Sequence, residues 1–230
     1  MMEQHTPEWW TSRLGKVTAS RIGDLMARNQ PRKGKTVGEW SARREKYLKE
    51  KVAERVVGKP RDRKRVQSLD ERLDLEPDAR AAYEFYFDAT VELIGFVDHP
   101  RIPNAGSSPD GLVGADGGLE IKCLDAEGHL EIIRADAFDS DYVYQCHFNI
   151  ACTGRAWWDL EAFNPDVPEE YKLFVKRIER DDDLIAQIET NVIEFLAEVD
   201  QRVAELQDII SGKSVLVSAL EGSLASLQVN

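Results

Sequence analysis

"SSPDGLVGADGGLEIKC", residues 107–123, has the outline of a β-hairpin. Gly-Ala-Asp-Gly-Gly at 114–118 is a turn signal, and β-prone runs flank it. Asp110 follows a proline near the end of one strand. Glu120 and Lys122 stand two apart on the next strand, so both point to one face, while Ile121 points to the opposite face and into a core. Charged groups are rarely buried unless paired or bound to metal. Two carboxylates about 4 Å apart repel by roughly 4 kcal/mol at an effective dielectric near 20, and a divalent cation removes that penalty. Carboxylate oxygens suit Mg²⁺, which keeps several waters and takes other ligands from phosphate. A lysine beside such an ion can orient or deprotonate an attacking water. The trio is therefore a kit for hydrolysing a phosphodiester; the bland alternative is three solvated strand charges.

Outward from the hairpin, residues 18–28 read as a short helix with Thr18 or Ser20 near its N-cap. A basic loop and a helix over 38–57 follow, the latter ended by Gly58 and Pro60. Ser68–Glu71 is a capping box opening the next helix, which Pro77 is expected to interrupt. Runs 93–98, 106–113 and 118–123 read as strands, and 128–135 and 140–152 as helices. "RAWWDLEAF" and "YKLFVKRI" form two more strands joined by a Pro-containing turn. Apolar residues at 185, 188, 192, 195, 199, 203, 206 and 210 make 181–211 a long amphipathic helix, packed on the core in preference to a coiled coil, with Gly212 as its C-cap. The expected fold is α/β, a mixed central sheet flanked by helices. The domain runs over 1–211 and a weakly amphipathic tail over 212–230.

The 230 residues suit one domain, and no run approaches the roughly 18 apolar residues of a membrane span. No basic region leads an apolar one at the N-terminus, so no signal peptide is expected. Cys123, Cys146 and Cys152 are odd in number and lack CxxC spacing, which points to reduced thiols in a cytoplasm and away from disulfides or structural zinc. The net charge of −12 disfavours a polyanionic partner if taken alone. Yet residues 31–65 hold fourteen Lys/Arg and five Asp/Glu, a local +9 that leaves −21 for the rest. That stripe is either a nucleic-acid face or a solvated helix laced with pairs such as Glu45/Lys49.

Pro-Asp, a gap, then Glu-x-Lys resembles the PD-(D/E)XK nucleases. "WWTSRLGKVTAS" (9–20), "LEPDAR" (75–80), "SPDGL" (108–112), "GLEIKC" (118–123) and "YVYQCHF" (142–148) stand in the order seen in the phage lambda exonuclease, or YqaJ-like viral recombinase, family. The resemblance spans residues 5–150. It implies a restriction-endonuclease-like fold and a Mg²⁺-dependent enzyme, with Mn²⁺ able to substitute and a two-metal site. Such an enzyme digests double-stranded DNA from 5′ ends, releasing 5′ mononucleotides and leaving 3′ overhangs. It implies a homotrimeric ring, DNA ends and a single-strand annealing protein as partners, and the host cytoplasm if the chain is phage-encoded.

Residue by residue, the resemblance makes Asp110, Glu120 and the backbone carbonyl of Ile121 metal ligands and Lys122 the water-activating group. Glu76 matches an upstream glutamate completing the metal site. The chain departs from the family's usual residues there ("ERLDLEP"), which leaves Asp74 a rival; a break at Pro77 would favour Glu76. Gln145 matches a helical glutamine near the site. Arg13, Ser20 and Ser108 match a 5′-phosphate pocket, where a guanidinium fork and hydroxyls suit the ligand. Trp9 and Trp10 are expected to pack, and His129 and His147 to be structural. No catalytic role is assigned to Cys123. An iron–sulfur nuclease is disfavoured by the cysteine count, and a sequence-specific endonuclease by the lack of a reading element. An inert annealing module is disfavoured by the intact Asp110/Glu120/Lys122 set.

Overall fold

The computed structural model describes residues 4–29, 38–59 and 67–227, with backbone alone over 67–74 and 213–227. The expected hairpin forms: β5 (Gly111–Val113) pairs antiparallel with β6 (Gly117–Cys123), Leu112 opposite Gly118. Gly114 takes a positive φ of 54° at the turn, a backbone that favours glycine. Arg155 NH1 donates to the Gly114 and Gly117 carbonyls at 2.8 and 2.7 Å, tying off the turn. A Cβ on Gly118 would lie 2.3 Å from the Trp158 ring, so only glycine lets these strands pack this closely.

Five strands form the main sheet in the order β2 (Val91–Glu92), β5, β6, β7 (Trp157–Phe163), β8 (Leu173–Glu179). The β6–β7 pair is parallel and the rest are antiparallel, a mixed sheet as expected. The expected strand 106–113 is in fact two strands. Ala105–Ser107 (β4) belongs to a second, three-stranded sheet with β1 (Val17–Thr18) and β3 (Val97–Asp98), and only Gly111–Val113 stays in the main sheet. Pro109 supplies no backbone donor, and Ser108–Pro109–Asp110 crosses between the sheets. The run 93–98 is a strand only at its end, Val97–Asp98, and residues 93–96 carry none.

The opening helix is also shorter than 18–28. Val17–Thr18 pair in parallel with Ala105–Gly106, a 3-10 turn covers Ala19–Arg21, and α2 is Ile22–Met26, after α1 at Pro7–Ser12. The helix α3 (Ala42–Val57) starts where the Ser41 hydroxyl accepts from Arg44 N–H and ends at a left-handed Gly58. The next helix, α4 (Gln67–Phe87), runs through Pro77 without the expected interruption. Proline costs a helix about 3 kcal/mol; burial of Ala79 and Tyr83 against the sheet opposes that cost. The side chains of the expected capping box, Ser68 and Glu71, lie outside the described residues.

The helix α5 (Ala126–Ala135) follows β6, and α6 (Ser140–Thr153) lies across the opposite sheet face from α4. Cys146 and Ile150 of α6 meet Trp158 and Leu160 of the sheet; Phe148 and Cys152 face a second core built from α2, α3 and α7. The last helix, α7, runs Asp182–Leu227, so Gly212 is inside it and not its cap. Ile185, Ile188, Val192, Phe195 and Val199 are all buried, as the stripe predicts.

The basic stripe is mostly spent on ion pairs where it is described. On α3, Arg44 meets Glu198, Lys51 meets Glu54, Arg43 meets Asp24 and Asp141, and Glu45 and Lys49 pair at 3.3 Å. Residues 31–37 and 60–66, which hold the rest of the stripe, lie outside the described residues.

Candidate active site

Period-two alternation puts Leu119, Ile121 and Cys123 of β6 in the core beneath α4, and Glu120 and Lys122 on the side of α6. There Glu120 is 2 % exposed and fully engaged. Lys122 Nζ donates to its Oε1 at 2.6 Å and to Gln145 Oε1 at 3.1 Å. Gln145 Nε2 donates to the same Oε1, and Asn149 Nδ2 to Oε2 at 3.0 Å. Lys122 Nζ also stands 4.9 Å from the centre of the Tyr142 ring, a cation–π distance. Tyr142, Gln145 and Asn149 share one face of α6 by helical spacing. Asp110 Oδ2 accepts from the Ile121 N–H at 2.7 Å, which locks the crossing segment to β6.

The electrostatics are those of crowded carboxylates. Burial, then the Glu120 charge, pushes the Asp110 carboxyl well above its usual range, with Glu76 adding to the effect. Glu76, on α4, is raised by burial and again by Glu120. Burial alone would lower the Lys122 ammonium, but Glu120 and Asp110 outweigh it and hold the group above its ordinary value. Burial raises the Cys146 thiol, so it is no nucleophile at neutral pH. Three carboxylates thus share one ammonium.

An all-oxygen, anionic set of this kind fits a hard divalent cation. Among the described residues, however, no group of three or more His, Cys, Asp or Glu is found that could hold a metal as it stands. The hydrogen bonds give the reason: Glu120 is turned to Lys122, Gln145 and Asn149, and one Asp110 oxygen to a backbone N–H. Glu76 is the upstream carboxylate in electrostatic reach of the trio. The side chain of its rival Asp74 lies outside the described residues, and the helix break expected to favour Glu76 is absent.

The second cluster sits two residues upstream. Arg13 NH1 donates to Ser108 Oγ at 2.6 Å, and Trp9 Nε1 donates to the same oxygen at 2.9 Å. The Arg13 guanidinium lies 4.3 Å from the Trp9 ring centroid. Trp9 is buried and Trp10 meets it edge-on at 4.5 Å, so both tryptophans pack as expected. Ser20 does not join them: it is exposed in the 3-10 turn, and among the described residues no hydrogen bond ties it to Arg13 or Ser108. His129 is buried with Nε2 2.6 Å from the Tyr171 carbonyl, and His147 is buried with its pKa lowered by desolvation; neither is in the site.

Sequence reasoning missed four contributors. Asn149 carries a signal, four residues after Gln145 on the same helix face. Tyr142 carries a similar one, three residues before it. Trp9 acts as a donor besides packing. Gln4 holds the crossing segment by donating to the Pro109 carbonyl at 2.7 Å, and nothing local in the sequence points to that.

Fold and site together define an α/β domain of the alkaline-exonuclease type. The chain belongs to the YqaJ-like viral recombinase domain family, whose model matches residues 8–156. It is similar to the alkaline exonuclease LHK-Exo from Laribacter hongkongensis, with 38 % identity over 90 % of this chain and 99 % of that one and a TM-score of 0.81. A second structure of LHK-Exo, in complex with dAMP, matches with the same identity and coverage and a TM-score of 0.82. A phage-related exonuclease from Haemophilus somnus 129PT shares the fold at 14 % identity, over 83 % of this chain and 96 % of that one, with a TM-score of 0.67. No curated protein matches.

Proposed function

We propose that this chain is a metal-dependent exonuclease that degrades double-stranded DNA 5′ to 3′, releasing 5′ mononucleotides and leaving 3′ overhangs for single-strand annealing recombination. The observation that carries the reading is the pairing of two clusters across three residues of chain. Asp110, Glu120, Lys122 and Gln145 are knit together, and Arg13 and Ser108 meet beside them. LHK-Exo, the relative at 38 % identity, has a structure in complex with dAMP, a deoxynucleoside monophosphate of the kind such a reaction would release.

Asp110, Glu120, the Ile121 carbonyl and Glu76 are the groups that would hold Mg²⁺, or Mn²⁺ in its place, in one or two positions. When bound, the ion polarises the phosphate and lowers the pKa of a bound water. The protein's own share is positioning. Lys122, hydrogen-bonded to Glu120 and Gln145, would orient the attacking water and either take its proton or steady developing negative charge. Gln145 and Asn149 fix the Glu120 carboxylate. Arg13 and Ser108, which meet in the structure, would hold the 5′ phosphate by charge-assisted donors. The working form is a homotrimeric ring around duplex DNA, acting in the cytoplasm beside a single-strand annealing protein, with residues 1–211 as the nuclease domain.

The test is a linear duplex labelled at either end and carrying a 5′ phosphate or a 5′ hydroxyl. Wild type with Mg²⁺ should release labelled mononucleotides from 5′ ends, faster from the phosphorylated substrate, and stop in EDTA. Asp110→Asn should be inactive while folded. Release from 3′ ends, or full activity in EDTA, would overturn the reading.

A further inference from the structure

The chain has four histidines. His99, His129 and His147 are buried, and His5 is exposed. The backbone of His5 is unusual: its φ is 64°, in the left-handed region that residues other than glycine seldom enter. Both neighbours hold it there. Gln4 Nε2 donates to the Ile94 carbonyl at 2.9 Å and to the Pro109 carbonyl at 2.7 Å. Thr6 caps α1, its hydroxyl accepting from the Trp9 N–H at 3.3 Å. Strain of this kind persists only where the surroundings impose it, and it gathers at ligand clamps.

The imposed backbone sets the imidazole against Trp9, with ring centroids 4.9 Å apart. The same indole carries the Arg13 guanidinium 4.3 Å from its centroid and gives its N–H to Ser108 Oγ at 2.9 Å. One tryptophan therefore seats His5, Arg13 and Ser108 together. Ser108 Oγ accepts from both Trp9 and Arg13, which fills its two acceptor positions and leaves its own O–H to donate.

His5 also feels the pair electrically. What burial it has, and then the Arg13 charge, lowers its pKa below the ordinary 6.5, so the imidazole is neutral at pH 7 in the unliganded chain. Among the described residues Arg13 is the charged group that acts on it. Asp110 is shifted by Glu120, Lys122 and Glu76, Lys16 pairs with Asp98, and Glu8 of α1 is exposed. A phosphate beside Arg13 reverses this balance. It offsets the guanidinium charge and brings negative charge close to the ring, which favours the protonated form. Neutral imidazole offers one donor, and imidazolium offers two.

We propose that His5 belongs to the 5′-phosphate site, its protonated imidazole donating to the terminal phosphate beside Arg13 and Ser108. The proposal rests on the 5′-phosphate pocket proposed above and adds a proton to it. Engagement of a phosphorylated end takes one proton from solvent onto His5, and engagement of a 5′-hydroxyl end takes none. The test follows the His5 imidazole by NMR through a pH titration of the full-length chain in EDTA. The chain is titrated alone, with a hairpin duplex bearing a 5′ phosphate, and with the same hairpin bearing a 5′ hydroxyl. His5→Asn tolerates the left-handed backbone and cannot ionise, so it assigns the signal. The 5′-phosphoryl hairpin should raise the midpoint of His5 by about one pH unit or more, and the 5′-hydroxyl hairpin should leave it in place. From pH 8 to pH 6.5 the binding preference for the phosphorylated end should grow roughly threefold more in wild type than in His5→Asn. A His5 midpoint that is the same with both hairpins, while Arg13→Ala still removes the preference for the phosphorylated end, would overturn the role of His5 and leave the pocket standing. No such preference in wild type at any pH would remove the pocket, and the role of His5 with it.

Discussion

Glu161 offers a clean test of how this sheet treats charge. It lies on β7 opposite Ile121, is 0 % exposed, and neither carboxyl oxygen has a hydrogen-bond partner. Burial pushes its pKa from 4.5 up to about 8. A group raised in the folded state contributes stability that is fully present below its unfolded value and is lost as pH rises through its folded value. Between pH 4.5 and about 8 the unfolded chain ionises at this residue while the folded chain keeps its proton. Each unit of that window costs roughly 1.4 kcal/mol, so the folded state is penalised by about 3 kcal/mol at pH 7 and by about 5 above pH 8. Glu161→Gln removes the titration while keeping the shape. Its stability relative to wild type, measured by urea unfolding, should therefore climb between pH 5 and pH 8.5 by several kcal/mol. A difference that stays constant across that range would show that Glu161 is not a buried neutral acid, and that the cost it carries is one of packing alone.

Three further outcomes test the site itself. Lys122→Met should reduce cleavage by about 10²–10⁴-fold with DNA-end binding retained, measured by single-turnover kinetics beside a filter-binding assay; a loss under threefold would make it a passive strand residue. Arg13→Ala should cut the preference for 5′-phosphoryl over 5′-hydroxyl duplex by tenfold or more, since a hydrogen bond to a charged group is worth about 1.5–3 kcal/mol. Asn149→Asp would set a second carboxylate against Glu120 Oε2, now 3.0 Å from Asn149 Nδ2. Direct calorimetry should then show altered Mn²⁺ binding with the fold intact, whereas Asn149→Ser should change it far less.

Much of this arrangement is legible in the sequence because it is local and periodic. The turn at 114–118 and the alternation of Glu120, Ile121 and Lys122 fix both the hairpin register and the faces, and the apolar spacing from 185 to 203 marks the buried side of α7. The misreadings come from non-local pairing. Val17 bonds alongside Ala105, a partner 88 positions away, so nothing near residue 17 separates a strand from a helix start. The division of 106–113 between two sheets depends on where each half finds an edge, and Pro109 marks the place without saying that the chain changes sheets. By propensity Pro77 interrupts a helix and Gly212 caps one, yet a helix runs through both, with the packing of Ala79 and Tyr83 opposing the cost at the first. The hydrogen bonds of Asn149 and Gln4 depend on the assembled tertiary structure.

The crossing segment Ser108–Pro109–Asp110 has a mechanical consequence. Its middle residue has a ring-locked φ, its start is gripped by Trp9 and Arg13, its centre by Gln4, and its end by the Ile121 N–H. Two residues of chain span at most about 7 Å. On the proposed function, the Arg13–Ser108 pair and the Asp110 carboxylate would be the two marks of a rigid ruler. The length removed in each cycle would then be set by covalent geometry rather than by a moving part, and a single residue inserted at Pro109 would change the gauge.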